Sequence, residues 1–178
     1  MTRPLALDLD GVLGDTRPLW LDWLADAGRR LGFDPATVAE DRGAAAAELD
    51  RLVGNWGVLL ARFAEDRAPV YLRPNADVAA ALRGLQAAGT RVGVFTDAPE
   101  QLARIALAQL GAARRIEAVE SGPDALERLR KRLGGDVEIV RTREQLLARA
   151  RDATEAGAAE ADSPSPPHPP GKNFRGRG

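Results

Sequence analysis

From residue 69 to residue 151 short β-branched apolar runs alternate with amphipathic stretches of helical length, and this alternation narrows the possible folds more than any other feature. "DVAAALRGLQAAG" reads as a helix closed by Gly89, "RVGVFTD" as a strand, and "PEQLARIALAQLG" as a helix with Pro99 in its first turn and Gly111 as its stop. "RIEAVES" then reads as a strand, "PDALERLRKRLG" as a helix, "DVEIVRT" as a strand and "REQLLARAR" as a helix. Strands spaced by helices in this way join through βαβ crossovers into a doubly wound parallel sheet with helices on both faces, an α/β fold.

A further strand is expected at residues 4–10, where the apolar run "PLALDLD" ends at Gly11. Between it and the alternating block lies a stretch of helical spacing only. Trp20, Trp23, Leu24, Ala27 and Leu31 mark one apolar face, closed by Gly32. Further helices are expected at residues 38–52 and 56–67. The domain reading is therefore a core of residues 1–16 and 69–151 with a helical cap, 17–68, inserted after the first strand. Trp20, Trp23 and Trp56 read as the interior of that cap. Asp15 and Thr16 read as its hinge and the N-cap of its first helix, and "RLRKR" (128–132) as an exposed helix face. Past Arg151 the composition turns to Ala, Glu, Ser, Pro and Gly. Residues 152–178 are expected to be a disordered tail, removable without loss of the fold.

In doubly wound sheets ligands bind beyond the carboxyl ends of the strands. Asp8 with Asp10, Thr96 with Asp97, and Arg141 with Thr142 all fall at such ends. Composition removes several kinds of chemistry. The 178 residues include no cysteine, which excludes disulfides, thiolate nucleophiles and cysteine-held zinc. His168 is the single histidine and lies in the proline-rich tail, so a Ser-His-Asp triad cannot be built. Catalysis must then rest on carboxylates, hydroxyls, arginines or a metal. A net charge of −1 gives no electrostatic reason to expect nucleic acid or an anionic membrane as partner. No apolar run is long enough to span a bilayer, and a cytoplasmic protein is the default expectation.

"LDLDGVLGDT" resembles the first signature of the haloacid dehalogenase superfamily, and "VGVFTDAP" resembles the second. The return from the helical block, "YLRPNADVAAALRGLQAAGTRVGVFTD", is similar to the phosphoglycolate phosphatase and beta-phosphoglucomutase branch. The resemblance covers residues 4–150. It implies a phosphatase acting on a small phosphorylated metabolite through an aspartyl-phosphate intermediate. Asp8 takes the role of nucleophile, and Asp10 that of the acid that protonates the leaving oxygen and then activates water. Gly11, Thr96 and the Asp97 N–H take the phosphate; Arg141, at the same rim but outside the family pattern, is expected to join them. The family's Mg²⁺ is implied at the Asp8 carboxylate and the Asp10 backbone carbonyl, with a third acid from the last strand.

The sequence departs from the family where that third acid belongs. Gly122 stands at the place of the usual lysine, and Arg141–Thr142 at the place of the usual Gly-Asp pair. Glu144 is the one carboxylate near that rim. Weak or absent Mg²⁺ binding is expected, with Arg141 or Arg143 taking over part of the metal's task, or Arg141 pairing with Asp8 or Asp10. The alternative function is a catalytically impaired protein of the same fold that binds a phosphate ligand or regulates a partner. Substrate identity and oligomeric state are not legible.

Overall fold

The computed structural model describes residues 2–161, with side chains as far as residue 156. In chain order its main elements are β1 (Leu5–Asp8), α1 (Arg17–Leu31), α2 (Arg42–Leu52), α3 (Trp56–Tyr71), α4 (Ala76–Ala87), β2 (Val92–Thr96), α5 (Glu100–Gln109), β3 (Ala118–Ser121), α6 (Ala125–Leu133), β4 (Glu138–Val140) and α7 (Arg143–Ala161). The four strands form one parallel sheet in the order β3-β2-β1-β4. The chain winds outward from β1 to β3 and then returns to the other side of β1. The carboxyl ends of β1 and β4 thus flank the point where the winding reverses.

Alternation along the strands decides which helices cover which face. Leu5, Leu7, Val92 and Val94 bury against α4, α5 and α7, in an apolar cluster that continues into the helices between β1 and β2. Ala6, Phe95 and Ala118 face α6. Gly93 is what lets α6 lie so close to the sheet, because a Cβ there would sit 2.6 Å from a Leu129 methyl. In the helical insert Trp20 and Trp23 of α1 meet Trp56 of α3, with ring centroids 5.2, 6.2 and 5.9 Å apart. All three tryptophans are buried, the interior role their helical spacing suggests.

Several boundaries differ from expectation, each for a local reason. β1 stops at Asp8 rather than residue 10, because Leu9–Leu13 coil into a single turn of π-helix closed by the Gly14 N–H on the Leu9 carbonyl. α2 starts at Arg42 rather than 38, where the Asp41 carboxylate accepts the Ala44 N–H at 2.8 Å. α3 runs through Pro69 to Tyr71, whose hydroxyl donates to Asp22 of α1 at 2.7 Å and ties the last turn down.

The largest correction concerns the region read as a disordered tail. Residues 152–161 are not tail but the continuation of α7. Ala and Glu are strong helix formers, and Ala150 and Ala153 pack into the main cluster beside α4. The low apolar content hid a helix that needs only small residues for its contact. The remainder, 162–178, lies outside the described residues. Truncation after Arg151 is therefore expected to lower stability by roughly 1–2 kcal/mol, the range for losing partly buried small residues and the helix turns that carry them. A thermal melt of that truncation checks this, and an unchanged midpoint would show that the last turns of α7 add nothing. Among the described residues no helix is long and apolar enough to cross a membrane.

Candidate active site

The rim where the winding reverses gathers side chains from three strand ends and from the insert. Asp8 closes β1 and caps the π turn. Its Oδ1 accepts the backbone N–H groups of Asp10 at 3.2 Å and Gly11 at 3.5 Å. Its Oδ2 lies 3.9 Å from the Arg141 guanidinium, which the register of β4 beside β1 brings to the same rim. Arg141 is itself steadied by the ring of Phe95, 5.4 Å from its Cζ to the centroid. Burial pushes the Asp8 carboxyl above its ordinary range. The Gly11 and Asp10 N–H groups and Arg141 pull it down, the charge of Asp10 adds to the rise, and burial prevails.

Gly11 sits against the end of β4. A Cβ built on it would overlap the backbone carbonyl oxygen of Arg141, an atom that cannot swing aside. Gly11→Ala is expected to push the π turn off β4 at a cost of about 1–3 kcal/mol, the usual range for overpacking. It should also separate Asp8 from Arg141. A melt checks the loss, and a variant with native stability would contradict it.

Asp10 points away from Asp8 toward the insert. Its Oδ1 accepts the Thr16 N–H at 2.8 Å and the Thr16 hydroxyl at 2.6 Å. Thr16 precedes α1, but its hydroxyl makes no cap bond there. Asp15 accepts the Arg17 N–H instead, and Thr16 serves Asp10. The other oxygen of Asp10 pairs with Arg42, the first residue of α2, and the same Arg42 nitrogen also pairs with Asp97 at the end of β2. Arg42 completes the set by donating to the Thr16 hydroxyl at 2.7 Å. It is 3 % exposed. Burial works against its charge, but the hydrogen bonds and charges of Asp97 and Asp10 outweigh burial and raise its pKa above the ordinary arginine value. Thr96 is buried, and its hydroxyl accepts the Ala98 N–H at 3.1 Å, leaving its proton free to be donated.

Asp8, Asp10, Gly11, Thr96, Asp97 and Arg141 thus occupy neighbouring strand ends. Arg42 is the member that sequence reasoning missed. It lies 32 residues from Asp10 and 55 from Asp97 along the chain, beyond the reach of any local pattern. Thr142 carries a sequence signal of its own. "TREQ" is a reciprocal capping box in which Gln145 N–H donates to the Thr142 hydroxyl at 3.3 Å and the Gln145 side chain accepts the Thr142 N–H at 3.2 Å. The residue standing where the resemblance implies a ligating acid is the cap of α7.

The donor set does not fit a tightly held Mg²⁺, which demands near-octahedral oxygen coordination. Among the described residues no three Asp, Glu, His or Cys side chains cluster as a metal site. Glu144 is held by its own backbone N–H and by Thr142, which lower its pKa, and it forms no ion pair at the rim. The Asp8 carboxylate, expected as a metal donor, faces the Arg141 guanidinium, and Asp10, expected to offer its backbone carbonyl, pairs its side chain with Arg42. Arg143, the other cation expected to help, pairs with neither acid.

The sequence matches no family model and no curated protein sequence. Solved structures do match. CbbY from Rhodobacter sphaeroides in complex with phosphate superposes with a TM-score of 0.59 at 16% identity, covering 78% of this chain and 77% of that one. The fold is that of the haloacid dehalogenases. A putative beta-phosphoglucomutase from Thermotoga maritima superposes with a TM-score of 0.51 at 17% identity, covering 84% of this chain and 82% of its own. A HAD phosphatase from Thermococcus onnurineus gives 0.50 at 19% identity over 78% and 76% of the two chains. Identities this low carry the fold and leave the chemistry to be argued from the residues.

Proposed function

We propose that the protein is a phosphohydrolase of the haloacid dehalogenase type, acting on a small phosphorylated metabolite with Asp8 as nucleophile. One observation carries this reading. Asp8 stands at the reversal point of a doubly wound sheet, with one oxygen fixed by two backbone N–H groups and the other turned toward Arg141.

In the proposed reaction an oxygen of Asp8 attacks phosphorus, forming an acyl phosphate as the bond to the leaving alkoxide breaks. Asp10 supplies the proton to that oxygen and then accepts one from the water that hydrolyses the acyl phosphate. With both its oxygens engaged by Thr16 and Arg42, Asp10 becomes free to carry a proton only when one of those contacts is exchanged for substrate. Arg141 beside Asp8 offsets the repulsion between carboxylate and phosphate. Two unit charges 4 Å apart interact by about 4 kcal/mol at an effective dielectric near 20, so a cation there has a large effect. The insert α1–α3 would act as the cap that excludes water and selects the metabolite.

An aryl phosphate assay on the native protein and Asp8→Asn, each with added Mg²⁺ and with chelator, tests this reading. Turnover lost in Asp8→Asn supports it. Turnover retained in that variant refutes it, and no turnover by the native protein under any condition, with phosphate still bound, favours the non-catalytic reading.

A further inference from the structure

We propose that Arg42 is the phosphoryl receptor of this site, a cation built into the cap that stands where a divalent ion would otherwise balance charge. This rests on the phosphohydrolase reading above. It concerns what holds the phosphoryl group rather than what attacks it.

The placement of Arg42 is over-determined. Asp41 fixes the start of α2, and Ala45 and Leu49 bury its inner face completely. Gly43 lies against the turn after β3, where a Cβ would come within 2.8 Å of the Pro123 ring. The first turn of α2 is therefore wedged onto the core, and Arg42 is held at the rim with 4% of its side chain exposed. A buried guanidinium is a poor choice if the only need is to hold two helices together, since apolar side chains of similar volume do so as well or better. What an arginine adds is a planar fork of donors that matches carboxylate and phosphate oxygens. Here one nitrogen bridges carboxylates from the ends of two different strands, Asp10 after β1 and Asp97 at β2. A cation bridging two acidic loops at the rim is the task a divalent ion performs in other sites.

The two carboxylates are not equivalent. The Asp10 side chain is 10% exposed and is also held by Thr16, whereas the Asp97 side chain is 52% exposed. Asp97 can leave the guanidinium and recover its hydration in water, whereas Asp10, which Thr16 also holds, gives up a contact only to bound substrate. Three carboxylates, Asp8, Asp10 and Asp97, face two guanidiniums, Arg42 and Arg141. That excess negative charge opposes a phosphoryl dianion while Asp97 stays in place. The exchange follows directly: a phosphoryl oxygen takes the position of Asp97 on Arg42, Asp97 swings into solvent, and Thr16 keeps the arginine aimed. The Asp97 contact is then the resting state of the site, with a carboxylate holding the place of the substrate.

Calorimetric titration with inorganic phosphate, in chelator at neutral pH, tests this on the native protein and on Arg42→Gln, Arg42→Lys and Asp97→Asn. Phosphate should bind the native protein without metal. Binding should fall at least tenfold in Arg42→Gln and by less in Arg42→Lys, which keeps the charge without the fork. Asp97→Asn removes the competing anion and should bind phosphate several-fold more tightly, a gain that a purely structural role for the ion pair does not produce. Phosphate binding that requires added Mg²⁺, that survives Arg42→Gln, or that weakens or stays level in Asp97→Asn overturns the proposal. If Arg42→Gln fails to fold, the Asp97→Asn and Arg42→Lys results still decide. Arg42-dependent phosphate binding without turnover would sink the hydrolase reading alone. Mg²⁺-dependent turnover indifferent to Arg42→Lys would sink this proposal alone.

Discussion

Asp8→Asn is expected to abolish phosphate-ester turnover and, at neutral pH, to leave the protein at least as stable as the native chain. The two effects share one cause. Asparagine keeps the oxygen that accepts the Asp10 and Gly11 N–H groups but removes the nucleophilic charge. That charge is a burden on the fold, because burial raises the Asp8 pKa above the ordinary aspartate value of 3.8. The folded state therefore binds this proton more tightly than the unfolded state does. Stability from this group is fully present below pH 3.8, falls as pH rises through the raised folded value, and is absent at pH 7. Replacing the carboxylate by a neutral amide removes that deficit, a trade of stability for function common at active sites. Melts of both proteins from pH 7 down toward 3.5 check it. The advantage of Asp8→Asn should shrink as the native carboxyl takes up its proton. A variant that melts several degrees below the native protein at pH 7 would show that Asp8 is there to hold the fold together.

Asp10→Ala is expected to be the most destabilising single change at the rim. It leaves Arg42, with 4% of its side chain exposed, without its buried anion, and it strips the acceptor from both the N–H and the hydroxyl of Thr16. Removing one partner of a buried ion pair typically costs roughly 3–5 kcal/mol. Asp97 still faces the guanidinium from its solvated side, so the lower end, about 3 kcal/mol, is expected here. For a chain of this size that is a fall in melting midpoint of about 6–12 °C. The double variant Asp10→Ala with Arg42→Met should recover much of the loss, since an apolar pair leaves no charge unpaired. The double-variant cycle isolates the coupling between the two residues. A loss under about 1 kcal/mol in Asp10→Ala would mean that water already screens the pair.

Much of the fold was legible because it depends on patterns a few residues long. The buried strand before Asp8 is written in consecutive apolar residues, and the helices of the α/β half in apolar spacing closed by Gly89, Gly111 and Gly134, each of which adopts positive φ. Asp8, Thr96 and Arg141 could be set at strand ends for the same reason. Where local chemistry was richer than the pattern used to read it, details slipped. The Asp8 cap coiled the next residues into a π turn, "TREQ" closed a capping box, and an Ala- and Glu-rich stretch with little apolar content continued α7.

By itself the sequence determined the α/β alternation, the helical insert and the carboxylate that ends the first strand, since periodicity and the conformational limits of Gly and Pro act within a few residues. Only the tertiary structure decided the strand order that sets Arg141 beside Asp8 and the docking of α2 that drives Arg42 between Asp10 and Asp97. Nothing local marks Arg42. Its meaning comes from the closing of one apolar core across the sheet and the insert, which removes water from the guanidinium and leaves two rim carboxylates as its partners.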